Sequence, residues 1–363
     1  MAEALKDVYN QAFINRLTNE IHCHTPKLNA EKFNALVFDQ KWNQRELKSR
    51  MQHISRSLHD CLDMDFVAAI NILKRTAPAF GGFEAMLFPD YVEQFGQDHW
   101  NDSIDALEEL TQHSSSEFAV RPFILSNPEK MMAQMLAWSH HSNHHVRRLA
   151  SEGCRPRLPW ATAFPLFKNN PLPILPILEN LKQDPSDYVR RSVANNLNDI
   201  AKDNPDITLK TAKTWKSQHT HTDWIIKHGL RTLLKRGNKE ALTLIGTHNS
   251  DHITRAVLTL DDDKALIGET LYFQVDISGG TENLGKLRLD YHIDFVKKNG
   301  SLSRKIFKLA EGNYTEKHKI FTKKHSLRQM STRTHYPGTH HVTLVINGEE
   351  KSVAKFNLST SNL

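Results

Sequence analysis

Cysteine is scarce in this chain. Cys23, Cys61 and Cys154 are its three thiols in 363 residues, and no two stand in a CxxC spacing. Scattered thiols suit a reducing compartment and argue against a structural zinc site. Long apolar runs are missing too. None approaches the ~20 residues a membrane helix needs, so no membrane partner is expected. The opening MAEALKDVYNQAF is amphipathic and has no basic stretch leading into an apolar one, so no secretory signal is expected. Gly-rich phosphate loops, GxSxG and HExxH are absent, which removes the commonest nucleotide, acyl-transfer and zinc-hydrolase chemistries.

What is present is an ordinary globular composition, 39% hydrophobic and 24% charged, at a length that favours two domains. The net charge is +6 and the pI about 9.0. A basic balance alone suits nucleic acid, anionic lipid or no specific partner. Its distribution is more telling. From Lys286 to Lys324 there are eleven Lys and Arg against four acids, a surplus of seven that exceeds that of the whole chain.

Up to about residue 250 apolar residues recur at helical spacing, as in IDALEEL, MMAQMLAW and DWIIKHGLRTLLKRG. Asn127 before Pro128 is an N-cap signal, and QDPSD does similar work near Asp184. The run HHSNHHVRRLASEGCRPRLPW, from His140 to Trp160, is echoed by SDYVRRSVANNLND, Ser186 to Asp199. Val146-Arg147-Arg148 lies over Val189-Arg190-Arg191 at an offset of 43, and a weaker third copy sets Trp224-Ile225 over Tyr188-Val189 at 36. Such periods belong to HEAT-like helix pairs, which bury their apolar faces only by stacking. After about residue 255 the period changes to alternation, in LYFQVDI, KLRLDYHIDFV and HVTLVI, with Asn-Gly hairpin turns in KKNGS and INGEE. The expected architecture is multidomain α + β: a HEAT-like α-solenoid over residues 1–252, then an immunoglobulin-like β-sandwich over 253–363. Tyr336, in THYPGTHHVTLVI, is the candidate corner tyrosine of that sandwich.

Several residues could carry chemistry. Arg148 and Glu152 share a helix face, and Arg191, Asn195 and Asp199 form the matching stripe in the next repeat. An arginine near a helix start can bind phosphate as a fork, with a carboxylate one turn deeper facing what the phosphate holds. The same pairs also occur as surface ion pairs worth a few tenths of a kcal/mol. Glu117, after the serine run of SSSEFAVRPF, is expected in the first turn of a helix, where capping is the simpler role. Trp160, in RLPW, is expected in a loop, either packing the repeats or stacking on a sugar or base beside Arg155 and Arg157. His140/His144 and His141/His145 have the i,i+4 spacing of a zinc pair, but no third ligand is evident, and no metal is expected. His340 and His341 sit in a strand pattern and point to opposite faces.

Taken together, HHSNHHVRRLASEGCRPRLPW, SSSEFAVRPFI and DYVRRSVANNLNDIAKDNP resemble the HEAT-like-repeat DNA glycosylases that remove alkylated bases, and within them the alkylpurine DNA glycosylase C (AlkC) branch. The resemblance covers the helical region through about Lys239, and the appended β-domain fits the branch with an immunoglobulin-like extension. It implies a monofunctional glycosylase, without cofactor, that excises 3-methyladenine and 3-methylcytosine from duplex DNA without flipping the base into a deep pocket. Glu117, Glu152 and Asp199 would form its acidic cluster, Trp160 would contact the DNA, and Arg148, Arg155 and Arg191 would line the DNA-binding face. A solenoid holding a duplex needs no partner subunit, so a monomer is expected, working on the nucleoid in the bacterial cytoplasm, with the basic β-domain also touching DNA. The alternative is a non-catalytic HEAT-repeat scaffold or lesion-binding protein, since both domain types commonly serve as binding modules.

Overall fold

The computed structural model describes residues 5–247, 250–330 and 333–360; the first four residues of the N-terminal stretch read above lie outside these. Contacts divide the chain into two compact units, residues 1–204 with 217–225, and residues 205–216 with 226–363.

The first unit is helical. Its helices start where short polar side chains can take an orphan amide. Asn10, Asn29, Asp65 and Asn127 each accept from the backbone N–H three residues on. Pro128 follows Asn127 at the first helical position, where its missing N–H costs nothing.

The helix pair Pro128–Trp138 and His144–Glu152 packs on the pair Leu175–Leu181 and Asp187–Asp203. The 43-residue repeat is visible in the hydrogen bonds. Arg147 Nη1 donates to the carbonyls of His141 and Ser142 at 3.0 and 2.7 Å. Arg190 Nη1 donates to those of Asp184 and Pro185 at 2.8 and 2.7 Å. Both donor and acceptors have moved by one repeat, so each arginine ties the loop ahead of its helix to the helix itself. The turns repeat as well: Asn143 N donates to His141 Nδ1, Ser186 N to Asp184 Oδ1, and His221 N to His219 Nδ1. The third copy therefore follows the second by 35 residues at this turn. Ser151 Oγ donates to Ser192 Oγ at 2.7 Å, and Asn196 Nδ2 to the Ser151 carbonyl at 2.7 Å, stitching the two long helices together. Gly153 closes the helix His144–Glu152 where a Cβ would meet Val120 Cγ2 at 2.5 Å, so glycine is what lets the helix Val120–Ser126 come this close.

Among its described residues the second unit holds eight strands: β1 (Arg255–Leu260), β2 (Lys264–Leu266), β3 (Thr270–Ser278), β4 (Gly285–Val296), β5 (Leu302–Tyr314), β6 (His318–Ser326), β7 (Gly338–Ile346) and β8 (Glu349–Ser359). They form two sheets, ordered β1-β3-β6 and β2-β8-β7-β4-β5. All pairings are antiparallel except the short β2–β8 contact. Alternation sends Phe273, Val275 and Ile277 from one sheet and Leu289, Tyr291, Ile293, Val342, Leu344 and Phe356 from the other into one core. The Asn347-Gly348 turn between β7 and β8 has φ of 49° and 84°. This is the positive-φ geometry that a two-residue hairpin needs and that Asn-Gly adopts most cheaply.

His340 is buried and stacked on Phe356, while its neighbour His341 is half-buried, as strand alternation requires. Tyr336 contributes its carbonyl, which accepts from His340 Nε2 at 3.1 Å. Helices outside the sandwich also belong to this unit by their contacts. Lys213 on the helix Pro205–Trp215 pairs with Glu240, Lys227 pairs with Glu311 at 2.7 Å, and Ser250 Oγ donates to Glu349 at 2.7 Å.

Candidate active site

Three segments of the first unit bring carboxylates and guanidiniums into one line. Glu117 lies in the turn ahead of the helix Val120–Ser126, and Arg148 and Glu152 lie on the helix His144–Glu152. Arg155 follows that helix, and Asp199 sits on the helix Asp187–Asp203. Arg148 Nη1 is 2.5 Å from Glu117 Oε2, and its Nη2 is 3.5 Å from Glu152 Oε1. Arg155 Nη1 is 2.6 Å from the same Glu152 oxygen, and its Nε is 2.9 Å from Asp199 Oδ2. Lys202 Nζ closes the line 3.0 Å from Asp199 Oδ1. Charge thus alternates along six side chains.

Most of the line is out of water. Glu152, Arg155 and Asp199 are 5%, 7% and 1% exposed. Ions so buried lose several kcal/mol of hydration each, which only close partners can offset. Burial alone would pull the Arg155 guanidinium below its ordinary pKa, but Glu152 and Asp199 outweigh it and hold the group above that value. For Arg148, burial likewise opposes Glu152 and Glu117, and the carboxylates again prevail.

The outer end of the line opens onto a cleft of about 440 Å³. Glu117 and Arg148 form its polar wall, and Phe83, Trp160 and Tyr188 supply aromatic faces. The Arg148 guanidinium lies 4.8 Å from the Tyr188 ring centroid, so the ring shares in positioning it. Ser115 Oγ donates to Glu117 Oε2 at 2.8 Å and lies 2.7 Å from Arg148 Nη1, a hydroxyl wedged between the two charges.

Trp160 is held in an uncommon posture. Its φ is +63°, a left-handed conformation that costs a bulky residue energy and persists where surroundings impose it. Lys48 Nζ donates to its carbonyl at 3.3 Å. Arg121, only 5% exposed, donates to the carbonyls of Gly153, Arg155 and Thr162 at 3.1, 3.1 and 2.6 Å and stacks 3.5 Å from the Phe164 ring centroid. Burial pulls this guanidinium down to about 10. The result is an indole presented to the cleft at 59% exposure from an anchored loop.

Of the residues singled out from sequence, Glu117, Arg148, Glu152, Arg155 and Asp199 come together, and Trp160 faces the same cleft. Arg191 does not join them: its Nε is 2.6 Å from Asp187 one turn back, and its side chain is 66% exposed. Two placements differ from expectation. Glu117 precedes the first helical residue by three positions instead of occupying the first turn, and its carboxylate is held by Ser115 and Arg148. Arg155 was expected on a DNA-facing surface but is buried between Glu152 and Asp199, so it braces carboxylates where a phosphate grip was expected. The neighbouring Arg157 takes the more open position, paired with Asp203. The histidines serve turns and packing. His141 Nδ1 accepts from Asn143 N, and His145 lies 5.8 Å from Tyr188, ring to ring.

Sequence reasoning missed Phe83, Arg121 and Tyr188. Tyr188 had a signal, since the offset of 43 sets it over His145, its neighbour in space. Phe83 had a weaker one, the Gly-Gly before an aromatic in AFGGF. Nothing in EFAVRPF marks Arg121 as an inward clasp.

The chain has relatives among known proteins. Residues 254–360 match the family model for the C-terminal Ig-like domain of uncharacterised protein YhaZ, and residues 174–203 match the HEAT repeat model. The chain is 48% identical over 355 residues to uncharacterized protein YhaZ of Bacillus subtilis (strain 168), covering 98% of this chain and 99% of that protein. The structure also matches that of Pseudomonas fluorescens alkylpurine DNA glycosylase AlkC bound to DNA containing an abasic site analog. The TM-score is 0.93 and the identity 36%, with 99% of this chain and 100% of that one covered. With relatives matched over nearly its whole length, a HEAT-type helical region and an Ig-like domain behind it, the chain belongs to the AlkC family of alkylpurine DNA glycosylases.

Proposed function

We propose that this protein is a DNA repair glycosylase that hydrolyses the N-glycosidic bond of cationic alkylated bases, 3-methyladenine and 3-methylcytosine, in duplex DNA. The observation that carries the reading is the full-length match to a DNA-bound alkylpurine glycosylase, with Glu117, Arg148 and Trp160 lining one cleft.

The chemistry suits these side chains. A base alkylated at N3 is positively charged, so its bond to C1′ is already weakened. When that bond breaks, its electron pair neutralises the departing base and the sugar takes on oxocarbenium character. Fixed carboxylates stabilise this cation and take up the proton of the attacking water. Glu117 is the carboxylate at the cleft, with Glu152 and Asp199 behind it in the charge line. No metal is needed to activate the leaving group, because the base leaves neutral.

In the free protein Arg148 neutralises Glu117. A DNA phosphate competes for the same guanidinium as a bidentate partner. Once Arg148 turns to phosphate, Glu117 faces the lesion uncompensated, so duplex binding itself charges the site. In this scheme the lesion is attacked at the edge of the stack without entering a deep pocket, and the enzyme carries out base removal only, leaving the backbone intact. We further propose that it works as a monomer on cytoplasmic DNA, with the basic β-domain supplying additional backbone contacts.

The test is release of free base from methylated duplex by the purified chain in EDTA. Appearance of 3-methyladenine supports the reading. Binding of lesion DNA without release would favour a lesion-binding protein, and no lesion preference at all would favour a scaffold.

A further inference from the structure

Phe83 and Trp160 are the two most exposed rings of the cleft, 43% and 59% open, and they stand side by side with centroids 6.0 Å apart, tilted by 42°. Two apolar rings in contact ordinarily gain by burying one another. Here each keeps a large open face, so mutual packing does not account for their position. Both are presented from pinned backbone. On the Phe83 side, Tyr9 Oη donates to the Phe83 carbonyl at 3.1 Å and Ser114 Oγ to the Gly82 carbonyl at 2.7 Å, with Gly82 at φ +61°. On the Trp160 side, Lys48 and Arg121 hold the loop, and the tryptophan itself sits at φ +63°. Gly82 adopts its positive φ freely, whereas the left-handed Trp160 is strained, and strain held by surrounding hydrogen bonds clusters at sites that must be preorganised. These two rings line the same cleft as the Glu117 carboxylate.

Resting on the glycosylase reading, we propose that Phe83 is a specificity-determining residue that touches the damaged nucleobase, forming with Trp160 an aromatic wall selective for planar cations. A flat, positively charged base gains from an aromatic face through dispersion and through the ring quadrupole, whereas a neutral base lacks the second contribution. The chain thus recognises its substrate twice, by the Glu117 charge and by a face that Phe83 extends.

The experiment uses the full chain and the variants Phe83→Ala and Phe83→Tyr. Single-turnover release of 3-methyladenine is measured at saturating enzyme, together with affinity for duplex containing an abasic-site analogue, which has no base to touch. Phe83→Ala should slow release roughly tenfold, the scale of one cation–aromatic contact. Its affinity for abasic duplex should stay within about twofold, and Phe83→Tyr should retain native rates because the ring face is kept. Equal release by Phe83→Ala and the native chain overturns the proposal, as does a parallel loss of abasic-duplex affinity, which marks a purely structural role. No release by the native chain overturns the glycosylase reading itself, a result distinct from either of these.

Discussion

The buried half of the charge line makes a strong demand on Arg155, which can be tested without any substrate. Arg155→Met keeps most of the side-chain volume and removes the cation between Glu152 and Asp199. Those two carboxylates, 5% and 1% exposed, then face each other, with Arg148 3.5 Å away and Lys202 3.0 Å away as remaining partners. Breaking one side of a buried ion pair costs about 3–5 kcal/mol, chiefly as uncompensated buried charge. For a unit of about 200 residues each kcal/mol lowers Tm by about 2–4 °C, so a fall of roughly 6–20 °C is expected. Arg191→Ala is the internal control: its pair with Asp187 is exposed, and the loss should stay below about 1 kcal/mol. The assay is thermal and urea unfolding followed by circular dichroism near neutral pH. A loss below about 1 kcal/mol for Arg155→Met would refute the claim that Arg155 braces buried carboxylates.

Other outcomes follow from the same structure. His325, 7% exposed and hydrogen-bonded through Nδ1 to Tyr291 Oη, is pulled down to about 4 by burial and then by Arg333. The fold therefore holds it neutral, and stability present above pH 6.5 is lost as pH falls towards 4, by about 2 kcal/mol at pH 5. His325→Gln should flatten that slope in urea titrations, and an unchanged slope would remove His325 as its source. Arg148→Gln should reduce the slope of log affinity against log salt by about one phosphate contact, and an unaltered slope would show that Arg148 stays on Glu117 when DNA binds. Phe83→Ala should slow base release without loosening abasic duplex, as set out above.

The parts of this molecule legible in its sequence are those fixed locally. Asn127-Pro128 and Asn347-Gly348 specify their turns through backbone chemistry that involves few neighbours. The repeat was legible because the same local problem, an arginine tying down the loop before its helix, is solved twice at a spacing of 43. Depth was not legible. RPR contains Arg155 and Arg157 two positions apart, and only packing decides that the first turns inward to Asp199 while the second takes Asp203 at the surface. Phe83 and Trp160 are 77 positions apart, and their meeting depends on two loops whose anchors, Tyr9 and Arg121, belong to neither. Arg121 donates to backbone carbonyls and stacks on Phe164, so no charge pairing in the sequence announces it.

The central claim is that Glu117, masked by Arg148 in the free protein, becomes the working carboxylate on DNA. The most direct test compares native chain and Glu117→Gln in single-turnover release of 3-methyladenine from duplex, in EDTA, with duplex affinity measured alongside. Native release, reduced by about 100-fold or more in the variant while affinity holds or rises, is the predicted result, since a fixed transition-state charge of this kind is worth about 3–4 kcal/mol. Equal release rates for the two proteins would contradict it.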